Sequence, residues 1–353
     1  MTTYSTAKVG PEDIEFYFAD SGPVAGSSDY TTLVMFHGSA FNSHSFHKLL
    51  PLAAPLNLRL VIVNRREYRG SSRYTNEEIT HLQAGRKLFL ERIGLHVAEF
   101  LHYYAETYDI PKISDDRRRG GFALLGWSIG VATVLALLGH PDAIPKEYYG
   151  RLEPYLRTVV LYDPPYLAFG YEITGVVNPY NPWTDPSIPT PEERYQKFHH
   201  WVSSYYDHPD TSSGSMLGLD YRPRTAQASI DNMPKEELAV MYEEAAAVRS
   251  ELHMVIDPMQ PTINVQAKAA LFDEELAKMV LPNMRVVHVV GVRSHWHCMW
   301  GYIEAKKEYD SRVAKGEKVR PINFVEIPEG NHFMHWDRPA EFLDAIARAV
   351  TAC

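Results

Sequence analysis

The chain is poor in cysteine, with two in 353 residues, Cys298 and Cys353. Two cysteines cannot build a disulfide framework, so the composition fits a reducing compartment and a cytoplasmic protein. Basic residues are not in excess either. Lys and Arg number 35 against 44 Asp and Glu, for a net charge of −9. That removes the electrostatic footprint of a nucleic-acid binder. No apolar run approaches the roughly 20 residues of a membrane span, and residues 1–8 lack the apolar core of a signal peptide. There is no internal repeat, no low-complexity tract and no G-x-x-x-x-G-K-[ST] phosphate loop. The expectation is a chain without a cofactor and with a small molecule as its partner; its oligomeric state is left open.

What is present centres on Gly126-Trp127-Ser128-Ile129-Gly130. The short apolar run before it, 121–125, reads as a buried strand, and the Ala/Leu-rich run after it, 131–138, reads as a helix. A serine between them in G-x-S-x-G is the pattern of a nucleophile elbow, in which glycines let strand and helix pack closely around a strained residue. The turn also places the backbone N–H of Ile129 at a helix N-terminus, where negative charge is favoured.

The rest of the chain alternates strands and helices. Strands are expected at 13–19, 33–36, 58–63, 157–162, 285–290 and 322–327, and helices at about 43–53, 76–108, 299–315 and 339–351. Alternation of this kind implies a mostly parallel sheet covered on both faces. It breaks at 166–281, a stretch rich in Pro, Tyr, Trp and Met that includes Asn178-Pro179-Tyr180-Asn181-Pro182-Trp183. Helices are expected there near 192–206, 235–249 and 264–279. The domain reading is therefore a core of 1–165 and 282–353 with a mainly helical cap at 166–281.

A nucleophilic serine needs a base, and the base needs an orienting acid. Ligands bind at the carboxyl ends of a parallel sheet. His332 follows the last strand at that rim and is the expected base; His335, three residues on, is the rival and is read as structural. Asp163 ends the strand after the elbow helix and is the expected acid. The loop after Val290 carries no carboxylate, which strengthens Asp163. Glu326 and Glu329 remain as rivals close to His332.

With its order Ser, acid, His, the sequence resembles the α/β-hydrolase fold superfamily over about 10–165 and 282–353. The elbow, the His37-Gly38-Ser39 turn, the Arg69-Gly70-Ser71-Ser72 loop and the Gly330-Asn331-His332 loop carry the likeness. An acid after the sixth strand, where Asp163 stands, is similar to dehalogenase-like and lactonase-like members, as is the position of the cap. The stretch 295–301 resembles fungal members. The resemblance implies an α/β-hydrolase fold and an oxyanion hole made by the N–H groups of Ser39 and Ile129. His37, Trp127 and Trp183 are expected to contact substrate.

His295-x-His297-Cys298 fits no strong metal spacing, so packing or pocket lining is preferred to a metal. The expected function is a serine hydrolase for a carboxylic ester or lactone of a small, largely apolar molecule. Two alternatives stay open: a lactone-forming cyclase or acyl transferase with the same triad, and a non-enzymatic binding protein.

Overall fold

The computed structural model describes residues 3–173 and 179–351. Met1, Asn178 and Cys353, read above, lie outside the described residues. Eight strands form one sheet: β1 (Thr3–Val9), β2 (Ile14–Asp20), β3 (Thr31–Phe36), β4 (Leu58–Val63), β5 (Phe122–Trp127), β6 (Leu156–Tyr162), β7 (Arg285–Gly291) and β8 (Ile322–Ile327). Their spatial order is β1-β2-β4-β3-β5-β6-β7-β8. β4, β3 and β5 to β8 run parallel, and β1 and β2 add an antiparallel edge.

The physical logic is that of a sheet buried on both faces. Every residue of β3, β4, β5 and β6 is buried, which is why these strands are dominated by apolar residues. β1 was not expected. Its sequence, TYSTAKV, is mostly polar, and only Ala7 and Val9 are buried. Edge position explains this, because one face and one side of the strand meet water. Behind the sheet, Ser71 and Ser72 accept from the N–H groups of Tyr17 and Glu15, which ties the Arg69–Ser72 loop to β2.

The helix expected over 76–108 is two helices, Asn76–Gln83 and Lys87–Thr107. Thr75 and Glu78 form a capping box at the first start. Gly85 takes φ +64, and a Cβ there would lie 2.4 Å from the Pro258 carbonyl oxygen, so the chain must break between them. Lys87–Thr107 packs on the elbow helix Gly130–Gly139 so closely that a Cβ on Gly94 would sit 2.5 Å from the Ala136 oxygen.

Among the described residues, the segment between β6 and β7 holds helices and no strand. Its main helices are Pro191–Ser203, Lys235–Met241, Met259–Phe272 and Glu274–Met279. The helix expected at 235–249 stops at Met241 because the Glu243 N–H is drawn to the Ala40 carbonyl (2.7 Å) and its carboxylate to Asn42 (2.6 Å). A five-residue π-helix, Ala247–Glu251, follows. Met259–Phe272 lies against the elbow helix, where Gln266 Nε2 donates to the Ala132 carbonyl at 2.9 Å. This last part of the segment therefore belongs to the helical layer over the sheet.

Candidate active site

Ser128 sits at the end of β5 with φ +57, a left-handed conformation that costs a non-glycine residue about 1–3 kcal/mol. The surrounding glycines make that geometry possible. A Cβ on Gly126 would lie 2.5 Å from the Gly130 oxygen, one on Gly130 2.4 Å from the His37 oxygen, and one on Gly38 2.7 Å from Ser128 Cβ. Strand, turn and helix close on one another only because these side chains are absent. Asp163, at the end of the neighbouring β6, is also left-handed, with φ +49. Two strained non-glycine residues on adjacent strand ends mark this rim of the sheet as specialised.

The structure brings Asp163 and His332 together across 169 positions of sequence, with Nδ1 of His332 2.5 Å from Asp163 Oδ2. Asp163 is completely buried, and three donors compensate its charge. The Gly291 N–H donates to Oδ1 (3.0 Å), and the Ser294 hydroxyl (2.7 Å) and His332 share Oδ2. The rivals stand elsewhere: Glu326 and Glu329 are exposed, and Glu329 lies 3.8 Å from Arg293.

His332 is held from several sides. The Trp127 indole N–H donates to the His332 carbonyl (3.1 Å), and its ring lies 5.0 Å from the imidazole at 37°. Asn331 donates to the Ser203 carbonyl (2.9 Å) and to Ser229 Oγ (2.8 Å), anchoring the loop to the segment between β6 and β7. With Nδ1 on Asp163, the Nε2 edge is the one available for proton exchange. His335 is fully buried, pairs through Nδ1 with the Tyr162 hydroxyl (3.2 Å), and packs on Phe46 and Trp127. Burial pushes its pKa well below the usual range, which fits a structural residue.

The turn after β3 is equally constrained. The Ser39 and Ile129 N–H groups have no hydrogen-bond partner among the described residues. Ile129 is the N-cap of the elbow helix, so a negative oxygen is favoured beside it. His37 departs from expectation. Both ring nitrogens are engaged, Nε2 by the Arg65 N–H (3.0 Å) and Nδ1 by the Gly38 carbonyl (2.8 Å), and the ring is fully buried. It braces the turn and has no edge left for a bound molecule. Trp127 likewise supports His332 from beneath. Trp183 packs on Tyr195 (5.0 Å) and Phe198 (4.8 Å), and Tyr195 in turn places its hydroxyl 3.1 Å from Ser39 Oγ.

Other residues surround the site, some unread in the sequence and some read there as packing. Arg65, buried just past β4, donates to the Gly38 carbonyl (3.1 Å) and to Thr133 (3.3 Å) and pairs with Glu251 of the π-helix (2.6 Å). The only hint was a pair of arginines, Arg65 and Arg66, just past the end of β4. Cys298 donates its thiol to the Asp163 carbonyl (3.1 Å) and lies 3.3 Å from His295 Nε2 and 3.5 Å from His332 Nδ1. Burial and the Asp163 charge push that thiol well up, so it is protonated. His295, Cys298 and His332 place three metal-ligating atoms within 4.8 Å, but His332 Nδ1 is committed to Asp163. His295 and His297 pack on Trp201 (4.2 and 4.6 Å), and burial keeps both neutral.

Ser128, Asp163 and His332 are 6%, 0% and 1% exposed, so all three side chains are buried beneath the molecular surface. No helix among the described residues is long and apolar enough to cross a membrane.

Comparisons with known proteins agree with this architecture. The chain is similar in structure over 99% of its length to a point mutant of the epoxide hydrolase from Solanum tuberosum, covering 100% of it, at TM-score 0.58 and 12% identity. It is similar to a bromoperoxidase from Bacillus anthracis over 98% of each chain, at TM-score 0.50 and 14% identity. At these identities the likeness is one of fold. A search of curated proteins by sequence finds no match. The family described as the alpha/beta hydrolase family matches residues 33–345, most of the chain, and the protein belongs to that family.

Proposed function

We propose that the protein is a serine hydrolase that cleaves a carboxylic ester or lactone of a small, largely apolar molecule. The observation that carries the reading is the buried Asp163–His332 pair at 2.5 Å on the rim where Ser128 stands in its strained turn. In this account Ser128 Oγ attacks the carbonyl carbon and His332 Nε2 takes its proton. Asp163 holds the imidazole in the right tautomer and stabilises the imidazolium. The N–H groups of Ser39 and Ile129 receive the oxyanion. Collapse expels the alcohol, which takes the proton from His332. Water, activated by the same imidazole, then releases the acid and frees Ser128.

The nucleophile's identity supports a carbonyl substrate over an epoxide, although epoxide hydrolases are among the similar folds. A serine that opened an epoxide would form an ether. An ether has no carbonyl carbon for water to attack, so the enzyme would not turn over. The segment 166–281 serves as the cap in this reading. Its Pro191–Ser203 helix sends Tyr195 to Ser39, so changes there should alter acyl-chain preference. The low exposure of Ser128 and His332 also supports a variant in which a substrate hydroxyl takes the place of water and a lactone leaves.

The test is pre-steady-state turnover of p-nitrophenyl acyl esters with product analysis. A burst of one p-nitrophenolate per protein, followed by free acid, supports hydrolysis through an acyl-enzyme. A hydroxy-acyl ester that yields lactone instead of acid selects the cyclising variant. No burst and no turnover on any acyl ester or lactone, with conversion of an epoxide, overturns the proposal.

A further inference from the structure

Away from the candidate active site, two histidines and a glutamate converge at the seam between the core and the segment that follows β6. Residues Ser43–Leu52 form a 3₁₀ helix, in which side chains three apart eclipse one another. His44 and His47 are so placed, and their rings stack at 4.3 Å and 12°. Glu237, on the helix Lys235–Met241, faces them. Its Oε2 lies 2.9 Å from His44 Nε2 and 3.7 Å from His47 Nε2. The three ligating atoms all lie within 4.8 Å of one another.

One hydrogen bond accounts for His44 and Glu237, but it does not account for His47. At 3.7 Å the second imidazole is beyond hydrogen-bonding reach of the oxygen it points toward. That separation is instead close to the spacing of two ligands on one tetrahedral ion, about 3.3 Å for bonds of about 2.0–2.1 Å. The His47 Nδ1–H donates to the His44 carbonyl at 2.8 Å. This fixes the tautomer with a free lone pair on Nε2, the outer hydrogen bond that metal-bound histidines keep. Lys48, the nearest cation in sequence, makes no ion pair with Glu237 among the described residues; its ammonium lies 3.7 Å from the Trp336 ring centre and donates to the Trp336 carbonyl. The three side chains are 25%, 26% and 35% exposed, so an ion reaches them from solvent.

We propose that His44, His47 and Glu237 form a site for a divalent transition-metal ion of the zinc class, with water completing a four-coordinate shell, that pins the Lys235–Met241 helix to the segment just past the Ser39 turn. Two imidazoles and one carboxylate with an open position are a donor set suited to zinc. The inference is independent of the acyl chemistry, since none of the three residues belongs to that site.

The test is calorimetric titration of Zn²⁺ into the full-length protein, with Co²⁺ as a spectroscopic probe. The expected result is one zinc ion per chain. His47→Ala and Glu237→Gln should each weaken binding by at least about tenfold, with the metal-free melting temperature little changed. The Co²⁺ complex should show tetrahedral d–d bands without a thiolate charge-transfer band. No zinc binding overturns the proposal, as does binding insensitive to both substitutions. A cobalt–thiolate band overturns it too, because it would place the ion at a cysteine. If His47→Ala fails to fold, the partly exposed and isosteric Glu237→Gln carries the test alone.

Discussion

Gly38→Ala probes the site with a single methyl group. The new Cβ would stand 2.7 Å from Ser128 Cβ, 3.3 Å from Ser128 Oγ and 3.3 Å from Trp127 Cε3. Ordinary van der Waals contact begins at 3.4 Å, so Ser128 and the turn after β3 must separate by about 0.7 Å. Neither side yields easily. Ser128 is fixed between Gly126 and Gly130, and the turn is fixed by Arg65 at the Gly38 carbonyl and by Tyr68, which accepts from the Ala40 N–H at 2.9 Å. A displacement near 1 Å between reacting groups costs about 10²-fold in rate. Steady-state kinetics on a p-nitrophenyl ester should therefore show kcat lower by roughly that factor, while overpacking lowers stability by about 1–3 kcal/mol. A folded Gly38→Ala protein with kcat within about threefold of the parent would refute the claim that this turn and Ser128 act as one unit.

Asp163→Asn keeps the side chain's shape but removes the charge beside His332, so turnover on the same ester should fall by up to about 10⁴-fold with the fold intact; near-normal turnover would exclude Asp163 as the orienting acid. Glu251→Ala strands the buried Arg65 guanidinium, and urea unfolding should show a loss of about 3–5 kcal/mol together with lower activity; a stability change under 1 kcal/mol would mean that Arg65 is neutralised by another group. Burial, with the nearby Glu12 charge, raises the Glu99 pKa to about 7 from an ordinary 4.5. The folded state therefore holds more protons than the unfolded chain between those values, and stability falls as pH rises through that window. Glu99→Gln removes this dependence, so its stability relative to the parent should improve by on the order of 1 kcal/mol between pH 5 and pH 8. Equal differences in melting temperature at both pH values would contradict the assignment.

The sequence declared the parts of the fold that are buried on both faces and stayed silent where tertiary contacts decide. β4 falls at the expected residues because a mostly apolar run bounded by turns has one stable place in such a sheet. β1 escaped notice because an edge strand tolerates polar residues, and the helix expected at 235–249 ended early because Glu243 found partners in Asn42 and Ala40. At the site, chain order and strand ends single out Ser128, Asp163 and His332 as candidates, and the structure sets the last two side by side. Their supports were not readable. Ser294 and Glu251 acquire their positions only when loops distant in sequence meet, as Glu251 does when the π-helix closes on Arg65. His37 misled because a histidine in a turn gives no indication of how many of its ring nitrogens the backbone will occupy.

The most direct measurement on the central claim is covalent capture by a fluorophosphonate, with intact-mass analysis and peptide mapping. The account predicts one adduct per chain, on Ser128, and none on a folded Ser128→Ala protein, which should also lose turnover by about 10⁴-fold or more. An adduct on another residue, or a folded Ser128→Ala protein that hydrolyses esters at the parent's rate, would contradict it.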